Sequence, residues 1–234
     1  MKKIVISLGG SVLVPSLESN NISRYASVLK RIAEKCQIFI VVGGGGEARR
    51  YIRVARDLSA GEAAADELGI MVTRLNARLL VAGLGDAAYP RVAENYTEAR
   101  EFAETKKIVV MGGITPAQTT DAVSAVLAES VGADLLINAT SVDGIYSADP
   151  KKDASAVRYE HLTPQDLLDI ITRGRMDAGA NTVLDIVAGK VVERSGIPLL
   201  VLDGRDPENL YRAIVEGASV GTIVSRENSN PLLA

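Results

Sequence analysis

Short apolar runs that end in glycine constrain this chain more than any other feature. Three runs of strand length share the pattern: residues 4–8 before Gly9-Gly10, residues 38–42 before Gly43 to Gly46, and residues 108–111 before Gly112-Gly113. Continuous apolar runs of this kind are typical of strands in a parallel sheet that is covered on both faces. The chain is therefore expected to build a buried sheet whose strands end in glycine turns.

Segments with helical spacing of apolar residues alternate with these strands. We predict helices at residues 21–36, from 47, 62–82, 120–131 and 182–195. A helix from Thr163-Pro164 that Gly174 ends, another from Asp206-Pro207 that Gly217 ends, and further strands at 135–138, 198–202 and 222–224 are also predicted. Such alternation predicts an α/β fold, a three-layer sandwich with a mainly parallel central sheet between helices. No change of composition marks a linker, so we expect a single domain over residues 1–234.

Composition excludes several classes of protein. The chain has 234 residues, of which 47% are hydrophobic and 24% charged, so a packed core is expected. A net charge of −3 with interspersed signs, few aromatic residues and no Trp argue against a nucleic-acid partner. Cys36 and His161 are the only Cys and His, which allows neither an internal disulfide nor a usual zinc site and fits the cytoplasm. No run approaches the roughly 20 apolar residues of a membrane span.

The glycine turns indicate phosphate binding. Ligands of open parallel sheets lie beyond the carboxyl ends of the strands. Glycine lets backbone N–H groups approach a phosphate closely, and a helix that follows adds its positive N-terminal end. One such turn could be explained by steric needs alone, but three turns at strand ends favour a nucleotide or another phosphorylated ligand.

Two common nucleotide-binding patterns fit poorly. The P-loop pattern is absent, because Gly189-Lys190 is followed by Val191 instead of Ser or Thr. A Rossmann pattern is partly present, since Gly43, Gly45 and Ala48 have the required spacing after a strand. A Rossmann-type dehydrogenase therefore remains open as an alternative at this stage.

A series of motifs gives a more specific resemblance. In chain order these are Ser7-Leu8-Gly9-Gly10-Ser11-Val12-Leu13, Val41-Val42-Gly43-Gly44-Gly45, Met111-Gly112-Gly113, Thr119-Thr120-Asp121-Ala122, and the block from Thr140 to Pro150. Their order resembles the amino-acid kinase superfamily over nearly the whole chain. Within it, residues 66–70 and 113–121 are similar to the acceptor site of archaeal uridylate kinases.

The resemblance implies transfer of a phosphate from ATP to UMP. It implies the following roles on the donor side: Gly9, Gly10 and Ser11 cradle the transferred phosphate, Gly45 and Arg49 contact ATP phosphates, Thr140, Tyr146 and Asp149 hold adenosine, and Asp121 orients cationic groups or helps to hold Mg²⁺. Gly10, Ser11 and Asp121 are thus the expected catalytic residues.

The resemblance also implies an acceptor site and an assembly. Gly44 would contact the phosphate of UMP and Asp66 its ribose, and a loop would wrap the nucleotide through Ile114, Thr115, Pro116, Ala117, Gln118, Thr119 and Thr120. Residues 1–132 would form the acceptor lobe and residues 133–234 the ATP lobe. The expected partners are UMP, ATP and Mg²⁺, and the expected assembly is a homohexamer.

One position departs from the superfamily pattern. Many members carry lysine two residues before the first glycine pair, where this chain has Ser7. Isopentenyl-phosphate and acetylglutamate kinases of the same superfamily remain alternatives, as does a nucleotide sensor without catalysis.

Overall fold

Strands and helices alternate along the chain, as the sequence predicts. The computed structural model describes residues 1–148, 150, 153, 155–176, 184–218 and 220–227. The strands within these residues are β1 (Lys3–Leu8), β2 (Gln37–Val42), β3 (Val109–Met111), β4 (Leu135–Thr140), β5 (His161–Leu162), β6 (Leu199–Asp203) and β7 (Gly221–Val224). The helices are α1 (Gly10–Leu13), α2 (Ile22–Ala33), α3 (Gly45–Asp57), α4 (Glu62–Leu84), α5 (Tyr96–Ala103), α6 (Thr120–Val131), α7 (Pro164–Met176), α8 (Ile186–Ser195) and α9 (Glu208–Glu216), with a 3₁₀ turn at Gly85–Ala87.

The strands of the described residues form one sheet in the order β3-β2-β1-β4-β6-β7-β5. Strands β3, β2, β1, β4 and β6 are parallel, and β7 runs antiparallel to β6. In this register Ser7 on the central strand lies between Val41 and Asn138. The carboxyl ends of four neighbouring parallel strands, β1 to β4, therefore meet at one edge of the sheet.

Two hydrophobic layers cover the sheet. Alternate residues of β1 face opposite sides, with Ile4, Ile6 and Leu8 in one buried cluster and Val5 in the other. Helices α2, α4 and α9 contribute to the first cluster, and helices α5, α6, α7 and α8 to the second. The predicted three-layer α/β sandwich with a mainly parallel sheet is confirmed.

Helix α4 is long and apolar enough to resemble a membrane span. Among the described residues, it and the turn that follows, Glu62–Ala87, pass a test of length and composition for crossing a bilayer. The helix packs against α2, α3 and the ends of β2 and β3, and Leu80 and Leu84 are buried in the core. It is thus a core helix of the sandwich that also leaves one apolar face exposed.

Two predicted helix bounds are wrong, and three short elements were not predicted. Gly174 does not end α7, which continues to Met176, because a single glycine costs a helix only about 1 kcal/mol. The helix predicted from residue 182 begins at Ile186, where Asp185 accepts hydrogen bonds from the N–H groups of Val187 and Ala188. Helices α1 and α5 and strand β5 were not predicted.

Candidate active site

A cleft of about 470 Å³ lies at the edge where β1 to β4 end. Its walls come from the turns after β1 and β2, from α4, and from the segment between β3 and α6. The lining residues are Ser7, Gly9, Gly10, Ser11, Gly43, Gly44, Gly45, Ala48, Arg49, Ile52, Asp66, Gly69, Ile70, Thr73, Gly113, Thr115, Gln118, Thr119, Thr120, Asp121, Asn138 and Thr140. Most of the residues predicted for phosphate and acceptor binding thus line one cavity.

The first two glycine turns pack backbone against backbone. A Cβ on Gly10 would lie 2.3 Å from both the Gly43 O and the Gly45 N, which no side chain tolerates. Gly45 has a φ of +64°, and a Cβ there would lie 2.7 Å from the carbonyl carbon of Gly10. Glycine is therefore required at both positions for steric reasons, and this contact places the two turns in one wall of the cleft.

The backbone amides of these turns are not all available to a ligand. Three are used inside the protein: Gly9 N–H donates to Ala139 O at 3.0 Å, Gly43 N–H to Leu8 O at 2.9 Å, and Gly113 N–H to Thr73 Oγ1 at 2.7 Å. Gly10 and Ser11 belong to the first turn of α1, and Gly44 and Gly45 to the start of α3, where backbone N–H groups have no partner within the helix. These four amides are the ones that an anion in the cleft could engage.

Asp121 is a partly buried acid at the floor of the cleft. It lies in the first turn of α6, and Ser7 Oγ donates to its Oδ1 at 2.8 Å. Burial raises the pKa of Asp121 to about 6, and Asp185 adds to the rise, while the Ser7 hydrogen bond opposes it. Ser7 thus occupies the position of the superfamily's lysine as a hydrogen-bond donor to this carboxylate.

The hydroxyl group of Thr119 is already committed. Thr119 caps α6 by accepting from Ala122 N–H at 3.1 Å, and it donates its own hydrogen to the carboxylate of Asp185. A hydroxyl has a single hydrogen to donate, so Thr119 cannot also donate one to a nucleotide. Of the two predicted threonine hydroxyls, only that of Thr120 is left for this purpose.

Asp66 and the acceptor loop are joined across the cleft. The carboxylate of Asp66, near the start of α4, accepts from Ala117 N–H at 2.8 Å, and Ala117 adopts a left-handed φ of +61°. Thr115 and Gln118 line the cleft and are hydrogen-bonded to each other at 3.2 Å. Ile114, Pro116 and Ala117 belong to the same loop but are not among the residues that line the cavity.

The residues predicted for ATP are only partly brought together. Arg49 and Thr140 line the cleft, and within the described part of the chain no ion pair engages Arg49, whereas Arg50 pairs with Glu47 at 2.8 Å. Tyr146 does not line the cavity, and its hydroxyl donates to Asp143 at 2.9 Å in the segment after β4. The predicted nucleotide contact Asp149 lies outside the described residues.

Sequence reasoning missed several residues of the cleft. Thr73 and Asn138 line it, and Asn76 lies directly behind it. The signal for Thr73 and Asn76 was helical spacing: Asp66, Ile70 and Thr73 recur on one face of α4, one turn apart. Asn138 is paired with Ser7 in the sheet and becomes visible only with the strand order.

The comparison with protein families agrees with this geometry. The model of the amino acid kinase family matches residues 2–203. The chain belongs to the amino acid kinase family. The Rossmann-type dehydrogenase is accordingly not favoured.

Individual relatives within the amino acid kinase family are named uridylate kinases. The uridylate kinase of Methanoculleus marisnigri is 86% identical over 232 residues, which cover 99% of each chain. The uridylate kinase of Methanospirillum hungatei is 61% identical over 231 residues, 99% of this chain and 98% of that one. The crystal structure of uridylate kinase from Archaeoglobus fulgidus aligns with a TM-score of 0.86 at 47% identity, covering 96% of this chain and 100% of that chain. The resemblance to archaeal uridylate kinases is confirmed.

Proposed function

We propose that this chain transfers the terminal phosphate of ATP to UMP, giving UDP and ADP. The observation that carries the proposal is the backbone contact between the turns after β1 and β2, which brings the amides of Gly10, Ser11, Gly44 and Gly45 to one cleft. The choice of UMP as the acceptor is supported by relatives that are named uridylate kinases, one of them 86% identical over 99% of this chain.

Phosphoryl transfer needs positioning and neutralisation of charge more than covalent catalysis. In our proposal, the amides of Gly10 and Ser11 hold the transferred phosphate between two others. Gly45 and the guanidinium of Arg49 hold phosphates of ATP, and Gly44 holds the phosphate of UMP. An oxygen of the UMP phosphate then attacks the terminal phosphorus in line with the departing ADP oxygen.

The acceptor nucleotide would lie between α4 and the loop of residues 114–120. Asp66 would accept hydrogen bonds from the ribose hydroxyls, and Thr120 would donate to UMP. The hydrogen bond between Asp66 and Ala117 supports this arrangement, because it fixes the loop against the helix before a ligand binds. Thr115 and Gln118 supply the remaining polar groups of this wall.

A magnesium ion would enter with ATP. Among the described residues, no group of three or more His, Cys, Asp or Glu side chains is placed to hold a metal ion. This donor set fits an ion held mainly by phosphate oxygens and water, as is usual for Mg²⁺, with Asp121 as the carboxylate that faces it. The ion would offset negative charge on the phosphates, and the chain's own part is to keep Asp121 in place through Ser7.

We further propose a division of labour and an assembly. Residues 1–132 would bind the acceptor and residues 133–234 would hold ATP, with Thr140 beside the adenosine. Exposed apolar side chains on α3, on α4 and at the C-cap of α3 support a homohexamer: Tyr51, Val54, Leu58, Met71, Leu75 and Leu79. The single Cys36 fits residence in the reducing cytoplasm.

An acceptor panel tests the proposed reaction. Formation of ADP from Mg-ATP is measured with UMP, AMP, GMP, acetylglutamate and isopentenyl phosphate. UMP is expected to support turnover and the others little. Turnover with acetylglutamate or isopentenyl phosphate but with no nucleotide would contradict the choice of acceptor, and tight ATP binding without any transfer would indicate a sensor.

A further inference from the structure

We propose that Asn76 and Thr73 are positioning residues: Asn76 directs amides of the second glycine turn toward the phosphates, and Thr73 holds the amide of the third turn away from them. Neither residue is expected to act on the reacting atoms. Both lie on α4, three residues apart, so that their side chains leave the same face of the helix. The proposal deepens the proposed kinase function and rests on it, because the oriented amides are those assigned to phosphate.

Asn76 holds the second glycine turn through two backbone carbonyls. Its side chain is buried, and Nδ2 donates to Gly43 O at 3.0 Å and to Gly44 O at 3.3 Å. Both partners are acceptors, so only the NH₂ end of the amide can face them. The buried Gly43 O is thereby given a donor, and Gly44 O, which also accepts from Ala48 N–H at 3.4 Å, gains a second one. This makes the orientation costly to abandon.

Fixing these two carbonyls also fixes two amides. The carbonyl oxygen and the amide hydrogen of a trans peptide lie on opposite edges of one plane. With Gly43 O and Gly44 O drawn toward Asn76, the N–H groups of Gly44 and Gly45 are directed to the other side. Those are the two amides of this turn that remain available to an anion in the cleft.

Thr73 does the opposite for the third glycine turn. Its Oγ1 donates to Ile70 O at 2.6 Å and accepts from Gly113 N–H at 2.7 Å. The amide of Gly113 is therefore turned toward α4 and withheld from the ligand. We infer that the turn after β3 shapes the start of the acceptor loop, whereas the turns after β1 and β2 supply the phosphate donors.

A phosphate-specific binding measurement separates this role from plain stabilisation. Affinities of the full chain for UMP and for uridine are measured by isothermal titration, for the wild type and for Asn76→Ala. Disordered amides should weaken UMP binding about tenfold and change uridine binding less than about twofold, because only UMP carries the phosphate. Loss of general stability would weaken both ligands alike.

Controls keep the outcomes distinct. Gln37→Ala removes a comparable contact, Nε2 to Lys107 O at 2.8 Å, at the opposite edge of the sheet, and should leave the ratio of UMP to uridine affinity unchanged. Asn76→Ser, which is too short to span both carbonyls, replaces Asn76→Ala if the latter does not fold. Thr73→Ser, which keeps the hydroxyl, should retain the wild-type kcat, whereas Thr73→Val should not.

The measurements distinguish failure of the positioning role from failure of the proposed kinase function. A wild type that prefers UMP to uridine, with Asn76→Ala and Asn76→Ser retaining that preference in full, would refute the positioning role. A wild type with no preference for UMP would instead refute the proposed function, and this inference with it.

Discussion

The carboxyl group of Asp121 lies in surroundings that disfavour its ionised form. It is partly buried, it lies near a second acid, Asp185, and its hydrogen-bond donor is the neutral hydroxyl of Ser7. A carboxylate in such surroundings is costly to ionise and gains from a cation that arrives with the substrate. Asp121 is thus expected to lower the free energy of unfolding of the protein while it contributes to the reaction.

Asp121→Asn should stabilise the protein and lower its activity. The pKa of Asp121 is about 6 when folded and near 3.8 when unfolded, so the folded state binds more protons between these values. The free energy of unfolding therefore falls as pH rises from about 4 to 6, and the variant should regain about 2–3 kcal/mol above pH 6. Urea unfolding at pH 4 and pH 8 measures the difference, which should be absent at pH 4.

The turnover number of Asp121→Asn tests the role of this residue in the reaction. Asp121→Asn should lower kcat more than it lowers affinity for ATP, and the fall of the wild-type kcat below about pH 6 should be absent from its profile. A variant with near wild-type kcat would remove Asp121 from the reaction.

Asp66 should contribute mainly to binding of the acceptor. Asp66→Ala loses the proposed ribose contacts and the hydrogen bond from Ala117, worth about 1–3 kcal/mol together. The KM for UMP should rise about 5- to 150-fold, with a smaller change in kcat and in the KM for ATP. Asp66→Asn, which can still accept from Ala117, should lie between. An unchanged KM for UMP in Asp66→Ala would count against the role.

At the scale of elements, the contact between the first two glycine turns sets the geometry of the cleft. Gly10→Ala would place a methyl group 2.3 Å from the backbone of the second turn, so the turns must separate. We expect a loss of activity of at least about a hundredfold, since misplacement by about 1 Å can cost that much. Gly61→Ala, where the added Cβ meets nothing within 4 Å, is the matched control and should retain activity. Full activity in Gly10→Ala would refute the need for this contact.

Sequence patterns predicted those elements that carry strong local signals. Helix α6 was predicted at its observed bounds because Thr119 caps it and Gly132 ends it in a left-handed conformation. Helix α5 was missed although its cap was present: Asn95 accepts from Glu98 N–H, and Glu98 in turn accepts from Glu94 N–H. Its apolar face is too short to stand out as a period, so the capping residues were the only signal.

The site was predicted as a set of residues but not as a network. Glycine turns and motifs identified most of the lining, because those features are local in sequence. The pairs Ser7–Asp121, Thr119–Asp185 and Asp66–Ala117 join residues 114, 66 and 51 positions apart and depend on strand order and helix packing. The spacing of residues in the sequence does not predict such long-range contacts. The hydrogen bonds of the Thr119 hydroxyl and the supporting role of Asn76 are therefore visible only in the folded structure.

For the whole molecule, the exposed apolar face of α3 and α4 is the feature that points beyond one chain. Leu58, Leu75 and Met71 are 77%, 64% and 57% exposed. Exposed apolar patches of this kind usually mark an interface. Six chains of 24.7 kDa would give a particle of about 148 kDa.

Leu75→Glu should break or reduce this assembly. A charge within a desolvated interface is costly, so the light-scattering mass after gel filtration should fall from that of the wild type. Val157→Glu, which changes an apolar residue that is 66% exposed elsewhere on the surface, should leave the mass unchanged. A wild type that runs as a monomer would contradict the proposed hexamer.

The most direct test of the account is a crystal structure with UMP and a non-hydrolysable ATP analogue bound together. We predict phosphate oxygens within about 3 Å of the amide nitrogens of Gly10, Ser11, Gly44 and Gly45, with the UMP phosphate and the terminal phosphate of the analogue adjacent. Phosphates bound elsewhere, or these four amides covered by the protein in the complex, would contradict it.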